Sequence, residues 1–322
     1  MKRLLTLSFL AALTPFAARP AEPAKGRERE PIKPLPLEQK LDPRKVELGR
    51  KLFHEPKLSR DDTISCASCH DLGKGGVDGR ARSLGIGQAE GTINAPTVFN
   101  SAFNFKQFWD GRADTLEDQA AGPMQAASEM GSTLEQVVAK LRASPAYAAE
   151  FRTMYADGIQ SKNITDAIAQ FERSLVTVNA RFDQYLRGND AALNAEEKEG
   201  YRKFKTYGCT SCHQGVNVGG NMFETLGVMA DYFIDRGNIT KADYGRFNVT
   251  GREEDRYVFK VPSLRNVALT APYFHDGSAA TLEEAVAVMG KYQLGRPLPP
   301  EDAGQIVKFL KTLTGEPGGR PL

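Results

Sequence analysis

The chain has 322 residues, with 42 Lys+Arg against 40 Asp+Glu and a formal net charge of +2. Such near-neutrality argues against a nucleic-acid partner and gives no signal for a charged membrane surface. The length suffices for two domains after a leader.

The N-terminus opens with the basic Met1-Lys2-Arg3, an apolar run from Leu4 to Leu13 and an alanine-rich stretch to Ala21. This pattern predicts a secretory signal peptide over residues 1–21, cleaved between Ala17 and Ala21. The apolar run falls short of the about 20 residues that span a bilayer, so no stable membrane insertion is expected. No cysteine lies near the cleavage region, which argues against a lipoprotein anchor. Residues 22–41 are rich in proline and charge and read as an exposed leader. Pro43 suits the first turn of a helix through Phe53. Ser144-Pro145 is an N-cap followed by proline at the first helical position. Ile164, Ile168, Phe171, Leu175 and Val178 give one apolar helical face over Asn163–Asn179. Asn194 with Glu197 opens a helix ending at Gly208, and Thr281 with Glu284 opens another running to Gly290. A last helix covers about Glu301 to Leu313. Alternating strand patterns are scarce, so the expected class is all-α.

The pentapeptides Cys66-Ala67-Ser68-Cys69-His70 and Cys209-Thr210-Ser211-Cys212-His213 use all four cysteines. Each reads C-x-x-C-H, the attachment signal of a c-type haem. Two thiols add across the haem vinyl groups, and the adjacent histidine becomes the proximal iron ligand. A pair of disulfides or half of a zinc site would explain C-x-x-C alone, but not a histidine directly after both copies. Export fits, because haem is coupled to such proteins outside the cytoplasmic membrane; a periplasmic location follows.

A diverged repeat runs through the chain. Ala95–Asn100, Trp109-Asp110-Gly111 and Thr115-Leu116-Glu117 recur as Val261–Asn266, His275-Asp276-Gly277 and Thr281-Leu282-Glu283, each offset by 166 residues. The haem motifs are offset by only 143, so the second half carries an insertion of 23 residues. Two cytochrome c-like domains are expected, over 42–180 and 181–322, each with one covalently bound haem c.

The axial ligands opposite His70 and His213 decide the chemistry: two strong ligands favour electron transfer, an open face favours activation of a small molecule. The other histidines are His54 and His275, and none lies between His70 and His213. After His213 come Met222, Met229 and Met289. Met289, near the end of a capped helix, is the best-placed thioether, with core filling the plainer reading. Its repeat mate is Pro123, which cannot ligate. The second haem would then be His/Met and of raised potential, and the first would lack that ligand.

From about Leu48 to Gly315 the chain resembles the bacterial diheme cytochrome c peroxidases. The similarity is most specific over Asn94–Pro123, with Phe108-Trp109-Asp110-Gly111-Arg112, and over Lys260–Met289, with Pro272-Tyr273-Phe274-His275-Asp276-Gly277. The resemblance implies that Met289 ligates the high-potential haem and that Trp109 lies between the haems. It also implies calcium at the domain interface on Asn94, Thr270 and Pro272, and Glu129 as the acidic residue on the open face of the peroxidatic haem. A homodimer and a small cytochrome c or cupredoxin as electron donor follow from the same resemblance. One departure stands out: Ile86 occupies the position where many members carry a distal histidine on the low-potential haem.

Bland readings accompany these. A lone tryptophan is more often core than relay, and an exposed glutamate is usually surface charge. His275 is expected to hydrogen-bond near the haem edge, with a propionate as one partner. His54 reads as packing or surface, with replacement of the missing ligand the lesser alternative; Met124 reads as core. Arg80, Arg82 and Gln88 could assist at the first haem, while Lys74, Lys106 and the other lysines read as solvated surface. The leading function is reduction of hydrogen peroxide to water, with Glu129 moving the proton. The alternatives are a MauG-like diheme oxidase acting on a partner protein, against which Met289 counts because MauG has tyrosine there, and a diheme electron-transfer cytochrome.

Overall fold

The computed structural model describes residue 27 and residues 29–317. The expected signal peptide lies outside the described residues. Helices dominate: α1 Pro43–Phe53, α2 Leu116–Gln125, α3 Leu134–Arg142, α4 Pro145–Arg152, α5 Ser161–Ser174, α6 Arg181–Leu186, α7 Ala195–Thr206, α8 Tyr232–Arg236, α9 Phe247–Thr250, α10 Leu282–Val288 and α11 Pro300–Lys311. The strands among the described residues form two antiparallel pairs, β1 Thr177–Val178 with β4 Glu316–Pro317 and β2 Phe223–Thr225 with β3 Val258–Lys260. The architecture is thus helix-rich with two small ribbons.

Local chemistry starts these helices. Pro43 sits at the first turn of α1, where Asp42 Oδ1 accepts the Arg44 N–H at 2.9 Å. Asn194 and Glu197 exchange side-chain caps at the start of α7, as Thr281 and Glu284 do at α10. Each capping box satisfies two otherwise orphaned backbone donors.

The pairs α1/α5 and α7/α11 are built alike. Gly49 lies so close to α5 that a Cβ there would stand 1.8 Å from the Ala167 carbonyl oxygen; at Gly200 a Cβ would stand 1.9 Å from that of Gln305 on α11. One turn further on, Phe53 packs edge-to-face on Phe171 at 5.3 Å and Phe204 packs on Phe309 at 5.2 Å. Each crossing precedes a C-x-x-C-H motif folded as a 3₁₀ turn, at Cys209 almost at once and at Cys66 after a further 3₁₀ turn, Pro56–Leu58.

The repeat is visible in the backbone. Asn100 and Asn266 hold φ of 60° and 59°, Phe108 and Phe274 hold 67° and 70°, and the bridges Gln107↔Ala113 and Tyr273↔Ala279 close equivalent loops. One apolar core joins Leu48, Leu52, Met124, Val137, Phe151 and Ile168; another joins Phe182, Tyr201, Phe204, Ile306 and Phe309. Thr177 ties the halves: its Oγ1 accepts from Asn100 Nδ2 at 2.8 Å and from Asn266 Nδ2 at 3.1 Å.

Two expectations need correction. The apolar pattern over Asn163–Asn179 is not one helix: α5 stops at Ser174, and Thr177–Val178 becomes a strand. The Thr177 N–H is claimed by Asn100 Oδ1 at 2.9 Å, so tertiary bonding overrides helical periodicity. The leader is not simply exposed either. Residues 37–40 are exposed, but Ile32, Pro34 and Leu35 are buried. Arg265 and Asp183, both fully buried, pair at 2.7 Å, and Arg265 also donates to the Lys33 carbonyl at 2.9 Å. Composition hid two apolar anchors and two backbone acceptors among the prolines.

Candidate haem sites and the interface between them

His213 lies after its 3₁₀ turn with Nδ1 3.4 Å from the Val218 carbonyl, and His70 has Nδ1 3.2 Å from that of Gly76. Donation from Nδ1 fixes the tautomer and leaves Nε2 free as a metal ligand. Burial pushes the His213 imidazole down to about 4, against the opposing backbone bond, so it is neutral at physiological pH. Burial also lowers His70. No cysteine among the four is paired with another.

A cavity of about 580 Å³ is lined by Cys209, Cys212, His213 and Met289 from the second half and reaches Asn94, Pro96 and Trp109 of the first. Its size falls within the range of cofactor pockets and its walls are mainly apolar. The residues therefore fit a haem attached at Cys209 and Cys212 with His213 on one face. Met289 and Met229 both border the cavity, but Met229 is 60% exposed and Met222 lies outside the lining. Met289 begins a wide turn, Met289–Gln293, in which the Leu294 N–H reaches the Met289 carbonyl at 3.1 Å. Sequence periodicity placed Met289 inside a regular helix; the chain instead widens there, a distortion often found at functional sites.

Trp109 and its repeat mate His275 meet at the interface, ring centroids 6.4 Å apart and nearly perpendicular. Trp109 Nε1 donates to the Asn94 carbonyl at 3.0 Å, and the Asn94 N–H donates to the His275 carbonyl at 2.7 Å. His275 borders the cavity, but its Nε2 is held by Asp243 at 2.7 Å rather than free for a propionate. Arg236 completes this buried group, pairing with Asp243 and with Asp276. Burial opposes the Asp243 charge, yet the bonds from His275, Arg236 and Thr240 outweigh it and hold the carboxyl well below the ordinary range. Asp243, His275 and Asp276 could together hold a metal, but the Arg236 guanidinium fills that position.

Asn94, Thr270 and Pro272 all border the same cavity. Asn94 spends Nδ2 on the Arg80 carbonyl at 2.8 Å, which leaves Oδ1 as an acceptor. Neutral oxygens from a side chain and two carbonyls are the hard donors that calcium accepts, so these residues fit that ion.

At the first motif, Cys66 packs with Phe53, Phe99, Phe171 and Leu175. Ile86 is buried, and its N–H donates to the Glu129 carbonyl at 2.7 Å. A Cβ at Gly85 would stand 2.1 Å from the Ser128 carbonyl oxygen, so this loop and the Glu129 turn are in direct contact. The Glu129 side chain makes no hydrogen bond or ion pair with described residues. Burial raises its carboxyl above the ordinary range, with the Arg112 charge pulling the other way. Its charge is also felt at Cys66 and Cys69, which places it beside the motif. On α5 the buried Glu172, pushed up to about 8 by desolvation, is a second carboxyl near Cys66.

His54 is exposed at the C-terminal end of α1, and its Nδ1 donates to the Arg50 carbonyl at 2.8 Å. Met124 is buried in the first core. Arg80 and Gln88 are exposed and Arg82 is half-buried; Arg112 is the cation that acts on Glu129. Lys74 and Lys106 pair with Asp71 and Asp114 near the surface. Lys260 corrects the view of the lysines as solvated: it is 6% exposed and borders the large cavity. Sequence reasoning missed Arg112, Asp243, Arg236 and Lys260. Arg112 and Lys260 stood inside stretches already singled out, but nothing local marked their roles.

Two C-x-x-C-H turns, each behind a matched helix crossing and with a proximal histidine oriented by a carbonyl, define a diheme c-type protein. The comparisons specify the class further. The family model of di-haem cytochrome c peroxidases matches residues 43–191. Cytochrome c peroxidase Ccp of Escherichia coli K12 is 52% identical over 91% of this chain, which spans 63% of that protein's length. The cytochrome c551 peroxidase of Nitrosomonas europaea is 45% identical, with 98% and 93% of the two chains covered. A solved MauG-like protein associated with microbial copper homeostasis superposes with a TM-score of 0.75 at 32% identity, covering 89% of this chain and 93% of that one. The chain belongs to the di-haem cytochrome c peroxidase family and carries two haem c groups. Among the described residues no helix is long and apolar enough to cross a membrane.

Proposed function

We propose that this protein is a periplasmic peroxidase that reduces hydrogen peroxide to water with electrons from a small cytochrome c or cupredoxin. The observation that carries the reading is the half-buried Glu129 carboxyl beside the first motif, without a hydrogen-bond or ion-pair partner among the described residues, set against a second motif whose cavity includes a thioether. Two cytochrome c-like domains, 42–180 and 181–322, divide the labour. Haem bound at each motif supplies iron that exchanges single electrons and, where one face is free, a position for a peroxide oxygen.

The chain's own groups do the rest. His70 and His213 would hold the two irons through Nε2, and Met289 would add its thioether at the second. Glu129 would take a proton from one peroxide oxygen and return it to the departing one. The O–O bond breaks, two electrons arrive one at a time, two protons enter, and two waters leave. Trp109, whose indole donates to the Asn94 carbonyl and whose own carbonyl accepts the Lys260 N–H, lies on the route from the second site to the first. Asn94, Thr270 and Pro272 would hold calcium, which would keep the halves in register. Ile86 in place of a distal histidine leaves the first site free in the resting protein.

The absorption spectrum of the fully oxidised protein tests this directly. A high-spin first haem beside a low-spin second is expected. Two low-spin haems with protein ligands on both faces would favour an electron carrier.

A further inference from the structure

Among the described residues, the lysines that retreat from solvent have anions to meet: Lys45 pairs with Asp166, Lys203 with Asp302, and Lys140 with Asp62 and two carbonyls. Lys260 has none. It lies in β3, paired to Phe223 and bonded through its N–H to the Trp109 carbonyl at 2.8 Å. Its side chain is nearly sealed from solvent and borders the cavity. The one carboxylate in that lining, Glu224, turns an oxygen to its neighbour Thr225 N–H at 2.8 Å and makes no ion pair with Lys260. A buried ammonium without a partner carries a penalty of several kcal/mol, as an order of magnitude. Burial accordingly pulls Lys260 down to about 8.

The missing anion therefore belongs to whatever fills the cavity. The ionisable groups on a haem periphery are its two propionates. Its vinyl edge is fixed at Cys209 and Cys212, and Cys209 packs on the second core. Lys260 instead follows Phe259, which packs in the separate cluster that includes Trp109. Thioether bonds at Cys209 and Cys212 would turn the opposite, carboxylate edge of a bound haem away from that core.

We propose that the Lys260 ammonium pairs with a propionate of the haem attached at Cys209 and Cys212, and by neutralising it favours the reduced state of that haem. The proposal rests on the reading that the cavity holds the second haem. An unneutralised propionate adds negative charge near iron and favours the ferric state; a paired one does not. Lys260 is thus a positioning residue that helps set the potential at which electrons enter.

The test uses the full-length holoprotein and its Lys260→Gln and Lys260→Arg variants. Haem content and the low-spin spectrum of the second haem are measured first, then its midpoint potential by spectroelectrochemistry. Resonance Raman spectra follow the propionate bending modes. The expected result is a lowered potential and a shifted propionate mode in Lys260→Gln, with both restored toward the parent in Lys260→Arg. Two haems with an unchanged potential and unchanged propionate modes in Lys260→Gln would overturn the pairing alone. A parent protein without haem at Cys209–His213 would overturn the pairing together with the site. If Lys260→Gln does not fold, Lys260→Met decides by the same two readings: with both haems in place, an unchanged potential and an unchanged propionate mode refute the contact.

Discussion

Replacing Glu129 by glutamine keeps the size and hydrogen-bonding reach of the side chain but removes its ability to take up and return a proton. General acid–base groups contribute about 10²- to 10⁴-fold, or about 3–5 kcal/mol of barrier. The position supports the full range. The carboxyl is half-buried, has no competing partner among the described residues, and feels one cation, Arg112. Burial raises its pKa, so the ionised form that accepts the proton is lost at higher pH than for an ordinary glutamate. The parent's cleavage rate should fall as pH drops through this raised value. Arg112→Ala removes the opposing attraction and should move the profile to still higher pH. The assay is stopped-flow mixing with excess peroxide, following the first absorbance change of the first haem rather than overall turnover. A Glu129→Gln protein that reacts at the parent rate, with an unchanged pH profile, would remove Glu129 from the chemistry.

Met289→His should keep the second haem six-coordinate and lower its potential, because imidazole stabilises ferric iron better than a thioether; an unchanged potential would show that Met289 is not the ligand. Gly200→Ala would place a Cβ 1.9 Å from the Gln305 carbonyl oxygen, forcing α7 and α11 apart. Overpacking of this kind costs about 1–3 kcal/mol or more, read as a lowered thermal midpoint in calorimetry; a parental midpoint would contradict the close crossing. Arg265→Ala leaves Asp183 buried without its partner and should cost about 3–5 kcal/mol in denaturant unfolding. A loss below about 1 kcal/mol, the scale of an exposed pair, would refute the buried ion pair.

Local signals were readable where the chemistry is local. The caps at Asp42, Asn194 and Thr281 act within a few residues, and each opens its helix where the sequence placed it. The 166-residue repeat reappears as matched backbone angles at Asn100 and Asn266. A further signal stood in the text unused: Gly49-x-x-x-Phe53 and Gly200-x-x-x-Phe204 mark the two helix crossings. What could not be read depends on distant partners. Asp243 lies 32 residues from His275, and no local signal announces that its carboxylate holds the histidine Nε2. Nothing near Lys260 in the sequence separates it from the paired surface lysines; only the fold buries it. The strand at Thr177 and the anchored Ile32–Leu35 segment were misread for the same reason, since hydrogen bonds from remote residues decide both.

Steady-state peroxide consumption by the purified diheme protein, with a reduced small cytochrome c as donor, tests the central claim most directly. The account predicts saturable turnover from the fully oxidised enzyme without a reductive pre-incubation, with two donor molecules oxidised per peroxide consumed. Absence of donor oxidation with both haems in place, or activity that appears only after prior reduction, would contradict it.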